Sequence, residues 1–304
     1  MATLTASPVS AQQPDEVDIK LPDADVTLHE RVHDPVKVTA FSRAVSNSRI
    51  NAYLRVSDKG RFAEKKDYRD LVPAPKGGRV AGVPQSSPGE FDSVVIFDAK
   101  GKATRIRTVR KPLRTGRIQW SRDGRKLVLT VEKKYSTTVG FVTVDIATGT
   151  AKVAMVRGVD GLATFQWTPD GKHLAAGYAD PYQGVRLYRT DGRMHHTLRK
   201  IGWITGDDSF SPSGKQLLTV CPATYNESSY CLWNMKSGKL ATRVKINFDS
   251  TYGWWDDRHL ISTVSRDGAR QIVVIDLKGK ITRVLAHDRT RLGGGVVLVY
   301  TQST

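Results

Sequence analysis

Two acidic pairs, a histidine pair and a cysteine pair are the residues of this chain whose types and spacing can do chemistry. Asp207-Asp208 and Asp256-Asp257 can set carboxylates on one rim for general acid–base work or cation binding, although each pair also stands where turn chemistry favours Asp. His195-His196 follow Gly192-Arg193 on an outer hairpin and read as a surface pair. The two cysteines, Cys221 and Cys231, flank one hairpin loop, and across adjacent strands they come close enough for a bridge. A disulfide would point to an oxidising compartment, two buried thiols to the cytoplasm. Without a nearby His they do not make the four-ligand set of structural zinc. Nucleophile-elbow, phosphate-loop and His-Glu-x-x-His motifs are missing, so no catalytic residue, metal ligand or cofactor is assigned and a non-enzymatic role is favoured.

Binding residues stand out more clearly. Thirteen Lys and Arg face two acids between Lys100 and Lys134. Arg105 and Arg107 share one face of a strand by its period of two, and Arg110, Lys111 and Arg114 continue the run as a basic rim for acidic partners. The plain alternative is that charged outer strands discourage edge pairing. Tyr178, Tyr182 and Trp254 sit in or near connections and are the candidates for a glycan or peptide platform; Trp255 is assigned to the core.

These residues are positioned by a repeat. Trp120-Ser121-Arg122-Asp123-Gly124-Arg125-Lys126-Leu127 returns as Trp167-Thr168-Pro169-Asp170-Gly171-Lys172-His173-Leu174 and as Phe210-Ser211-Pro212-Ser213-Gly214-Lys215-Gln216-Leu217. The same frame finds Val80 upstream, with Pro73 in place of the aromatic, and Leu260 downstream after a shortened turn. The marker aliphatics are 47, 47, 43 and 43 residues apart. Each unit adds a β-branched run ending at a Gly turn, such as Val94-Val95-Ile96-Phe97 before Gly101 and Ile272-Val273-Val274-Ile275 before Gly279. A period in the forties built from hairpins predicts propeller blades, since solenoids of that period need amphipathic helices. His173 and His259 fall beside the marker Leu and are explained by the repeat.

The motif resembles the WD40-like repeat of TolB-type β-propellers over about residues 72 to 285. That resemblance implies a binding scaffold and carries over no catalytic residue. The expected fold is all-β, with six four-stranded blades. The hairpin Ile50–Glu64 and the C-terminal run Gly295–Thr301 build one composite blade from both chain ends, because an open edge invites aggregation. Residues 36–304 form the propeller domain. Residues 1–35, with seven acids against two bases and four prolines, read as a disordered acidic arm, solvated or lying over the basic propeller.

The chain carries +17 overall, a balance that governs encounter with polyanions, anionic membrane surfaces and acidic proteins rather than fold. The reading is a monomeric, non-enzymatic scaffold for a protein partner, acidic in character. Zinc-finger, RRM and helix-turn-helix patterns are absent, which disfavours nucleic acid. Two alternatives remain: a small-molecule or glycan-binding propeller, and a lyase or hydrolase with its site at the channel mouth. No run is long enough to span a membrane as a helix. The start lacks a signal-peptide pattern, which places the chain in the cytoplasm as written, with secretion as the alternative if a leader has been removed.

Overall fold

The computed structural model describes residues 16–46, 49–133, 137–179, 183–204, 206–225, 228–266, 268–290 and 295–302. The chain begins with a hairpin of β1 (Glu16–Lys20) and β2 (Val26–Arg31), followed by β3 (Val36–Ser46), β4 (Arg49–Arg55) and β5 (Phe62–Lys65). Blade 2 is β6 (Tyr68–Pro73), β7 (Val80–Pro84), β8 (Phe91–Phe97) and β9 (Ala103–Arg110). Blade 3 is β10 (Arg114–Trp120), β11 (Lys126–Lys133), β12 (Thr137–Asp145) and β13 (Thr150–Met155). Blade 4 is β14 (Gln166–Trp167), β15 (Leu174–Tyr178), β16 (Gly184–Tyr188) and β17 (Met194–Arg199). Blade 5 is β18 (Gln216–Val220), β19 (Ser229–Asn234) and β20 (Leu240–Lys245); its inner strand is reduced to the bridges Trp203 to Val220 and Phe210 to Leu217. Blade 6 is β21 (Ser250–Asp256), β22 (His259–Arg266), β23 (Ala269–Asp276) and β24 (Ile281–Asp288). The last strand, β25 (Val296–Gln302), pairs with β3 and completes blade 1 in the order β25-β3-β4-β5. Six blades therefore close a ring.

The repeat motif is a strand-turn-strand corner whose chemistry is visible. Ser121 Oγ accepts the Lys126 amide at 2.9 Å and donates to Asp123 Oδ1 at 2.6 Å; Thr168 does the same with His173 and Asp170. Gly124 and Gly171 have φ of 67° and 62°, the left-handed region that glycine enters at little cost. The turn sets Trp120 opposite Leu127, Trp167 opposite Leu174 and Pro73 opposite Val80. Leu127, Leu174, Leu217 and Leu260 are fully buried, each such side chain contributing about 1.5–3 kcal/mol.

The N-terminal segment, expected as a disordered arm over 1–35, is strand from Glu16 onward. Residues 16–31 form β1 and β2, and β2 pairs with β24 through Val26–Asp288, Thr27–His287 and Leu28–Ala286, making blade 6 a six-stranded sheet. The abundance of acids and prolines concealed a period-two pattern: Val26, Leu28 and Glu30 face inward. Two buried acids of this segment pair at the seam between blades 6 and 1. Glu30 pairs with Arg55 at 2.8 Å, each about 11% exposed, and Asp34 pairs with Arg283. Residues 1–15 lie outside the described residues.

Candidate functional site

The inner strands surround the axis of the ring, and three of them break register within two to four residues before the aromatic slot. The shifts fall between Tyr68 and Asp70, between Gly116 and Gln119, and between Thr251 and Gly253. Bulges of this kind re-aim side chains. Counting three residues back from the aromatic slot gives Asp70, Arg117, Thr164, Asp207 and Thr251 in blades 2 to 6. Arg117 has φ of 50°, an uncommon conformation for a residue with a side chain. Gln119 and Gln166 lace adjacent inner strands: Gln119 Oε1 accepts the Trp167 amide at 2.6 Å and its amide donates to the Asp207 carbonyl, while Gln166 Nε2 donates to the Gly206 carbonyl at 2.8 Å.

The channel carboxylates are held protonated more readily than usual. Burial pushes Asp70 up to about 6 against the pull of Arg69. Asp207 is pushed up to about 7 by burial and then by repulsion from Asp70 and Asp208, with Arg117 opposing. Asp207 is nevertheless exposed, and it feels charged groups of blades 2 and 3, Asp70 and Arg117. Asp208 has a structural task, pairing with Arg122 at 3.2 Å while Arg122 also donates to the Phe210, Ser211 and Pro212 carbonyls at 2.8 Å. Asp256 accepts the Arg258 amide within its own turn, and Asp257 accepts the Ser213 amide from blade 5. A folded-state pKa raised above the unfolded one makes ionisation unfavourable to folding. We therefore expect Asp207→Asn to raise the melting temperature at pH 8; the gain should shrink as pH falls from 7 to 4, and a pH-independent difference would contradict the channel assignment.

The predicted basic rim separates into two groups. Arg105 and Arg107 are exposed on β9, the outermost strand of blade 2. Arg105 donates to Ser93 Oγ at 2.7 Å and Arg107 lies 5.8 Å from the Phe91 ring centre; neither has a carboxylate within ion-pair distance among the described residues. Arg110 pairs with Glu90 at 3.0 Å, and Lys111 caps the Ser87 and Gly89 carbonyls at 2.6 and 2.7 Å. Arg114 is exposed at the start of β10.

Two of the three aromatic candidates are buried. Tyr178 is 4% exposed, with the Arg186 guanidinium 4.5 Å from its ring centre, and Trp254 is 7% exposed in the blade 5–6 core. Tyr182 lies outside the described residues. Trp254, not Trp255, occupies the repeat slot, since it pairs with Leu260 and its indole donates to the Ser209 carbonyl at 3.1 Å, as Trp120 donates to Val72 at 2.8 Å. His195 stacks on His173 with ring centres 4.2 Å apart. Lost hydration and the facing His173 hold the His195 imidazole below its usual range. Among the described residues no cluster of three metal-ligating side chains occurs. Cys221 and Cys231 are joined by a disulfide with Cα atoms 5.0 Å apart. Cys231 is opposite Thr219 and the Cys221 amide bonds Ser229, so the bridge runs diagonally across the ladder.

No known family profile and no curated protein matches the sequence. Solved structures do match. TolB from Acinetobacter baumannii is similar at 15% identity and TM-score 0.54, over 87% of this chain and 67% of that one. A chain of a nidogen/laminin complex is similar at 12% identity and TM-score 0.54, covering 87% and 99%. An acylaminoacyl peptidase from Pyrococcus horikoshii is similar at 11% and 0.56, over 86% of this chain but 44% of that one. The fold is a six-bladed β-propeller. At these identities the similarity concerns fold alone. No helix among the described residues is long and apolar enough to cross a membrane.

Proposed function

We propose that this propeller is a non-enzymatic scaffold that holds an acidic protein partner against the outer strand of blade 2. The observation that carries this reading is the exposed pair Arg105 and Arg107, adjacent on one strand face and without a carboxylate at ion-pair distance among the described residues. An unneutralised pair of guanidiniums is suited to bidentate recognition of carboxylates. The fold is compatible with such a role, one similar chain coming from a nidogen/laminin complex. The Cys221–Cys231 bond supports the oxidising-compartment alternative over the cytoplasm. The test is capture on the immobilised chain from extract and culture supernatant of the source organism, across a salt series. One retained protein should be lost by about tenfold or more with Arg105→Glu/Arg107→Glu. Unchanged capture would sink the assignment.

A second reading places a small polar ligand or a reaction in the channel, and the paired elevation of Asp70 and Asp207 favours it. Two carboxylates displaced toward neutrality in one channel are a recognised mark of functional sites. Loss of a saturable ligand signal in Asp70→Asn, with the salt-dependent capture intact, would select this reading over the first.

A further inference from the structure

The charge of this propeller is sided. In an antiparallel blade the turn between first and second strands and the turn between third and fourth strands lie at the same end. Here they touch: the Ile146 amide bonds the Arg125 carbonyl at 3.0 Å in blade 3, and the Met235 amide bonds the Lys215 carbonyl at 2.9 Å in blade 5. Neighbouring blades join along the same face, with Lys126 Nζ donating to the Gly171 carbonyl at 3.1 Å and the Ser213 amide to Asp257 Oδ1 at 2.9 Å. The eleven turns on this face, from 56–61 in blade 1 to 277–280 in blade 6, hold seventeen Lys and Arg against six Asp. On the opposite face, the N-terminal hairpin apart, the connections within and between the blades hold five bases and four acids among the described residues.

The sidedness is sharper than the count. Several carboxylates of this face, though exposed, are engaged as turn acceptors: Asp98 takes the Lys100 and Lys102 amides, Asp170 takes Lys172, and Asp191 takes Arg193. The ammonium groups that flank them, including Lys100, Lys102, Lys278 and Lys280, are exposed. Every turn is six residues or shorter and none contains Phe, Tyr or Trp. Such a face has no element long enough to enter a duplex groove and no ring on which to stack unpaired bases. It also lacks the apolar, charge-poor centre of a protein interface. What it matches is an extended plane of negative charge, to which each basic residue near the surface contributes independently.

We propose that this turn face docks on an anionic lipid bilayer, leaving the outer strand of blade 2 and the opposite face for other partners. Protein-free vesicles test this independently of the scaffold reading. The full chain is floated with phosphatidylcholine vesicles and with vesicles containing about a third phosphatidylglycerol, from low to physiological salt. Binding is expected only to the anionic vesicles, weakening as salt rises. The variant Lys100→Glu/Lys102→Glu/Lys278→Glu/Lys280→Glu should lose about a hundredfold or more in partitioning. The charge-matched control Lys66→Glu/Arg157→Glu/Lys200→Glu/Arg289→Glu, on the opposite face, should bind nearly as wild type. Circular dichroism melts exclude unfolding in either set. Equal loss in both sets, or no binding to anionic vesicles at low salt, would overturn the proposal. An oligonucleotide complex that outlasts vesicle binding as salt rises would reassign the face to nucleic acid.

Discussion

Asp34→Ala is expected to destabilise the folded chain by about 3–5 kcal/mol, because it leaves a buried guanidinium without its partner. Asp34 and Arg283 side chains are 6% and 12% exposed. Asp34 receives both terminal nitrogens of Arg283 and, at 2.7 Å, the Arg31 amide. Arg283 belongs to β24 and Asp34 follows β2, so the pair fastens the N-terminal hairpin to blade 6. Arg283 also donates to the His29 carbonyl at 2.8 Å and lies 5.7 Å from the Trp255 ring centre; those contacts cannot neutralise it, and Glu16 at 3.8 Å is partly solvated. Urea unfolding measures the loss. Asp34→Ala/Arg283→Met should recover part of it, since an apolar isostere removes the unpaired charge. Asp58→Ala, on an exposed turn, should change stability by roughly 0.5 kcal/mol or less. A loss below about 1 kcal/mol for Asp34→Ala would mean that water enters and solvates the site. Removal of residues 1–35 is accordingly expected to weaken the ring at its seam rather than to unmask a surface.

Much of this architecture was legible because its grammar is local. The Ser/Thr, Asp and Gly of each motif bond one another within six residues, so the turn is written where it forms and its return at 43 or 47 residues marks the blades. Features made by residues far apart in sequence were not written in that way. Glu30 and Asp34 look like an acidic tail until Arg55 and Arg283 are brought to them. Asp70, Arg117 and Asp207 share a repeat offset, yet only the bulges and the ring give that offset a meaning. The thirteen bases from Lys100 to Lys134 drew attention to one blade, whereas the charge sorts by turn type across all six. That sorting is recoverable from sequence once strand order is known, by adding the charges of alternate connections separately.

Trp254 shows how a one-residue slip reverses a functional assignment, and its replacement carries the second large effect. Trp120, Trp167 and Phe210 precede their marker Leu by seven residues; in blade 6 the turn is shorter, and adjacent indoles compete for the slot. Successive strand residues face opposite sides, so choosing Trp255 for the core would have put Trp254 on the surface. A register shift between Trp254 and Asp256 absorbs the missing residue and keeps Trp254 opposite Leu260. There it packs with Leu218, Leu232 and Leu260. Trp254→Ala should therefore cost about 3–5 kcal/mol, including an inter-blade hydrogen bond to Ser209 that goes unmade. Trp255, only partly buried beside Arg283, should cost less than half as much on the same change. Urea midpoints for the two variants decide the matter. If Trp254→Ala left stability intact and instead reduced capture of a glycan or peptide, the indole would be a ligand surface after all, and the register drawn for β21 and β22 would be wrong by one residue.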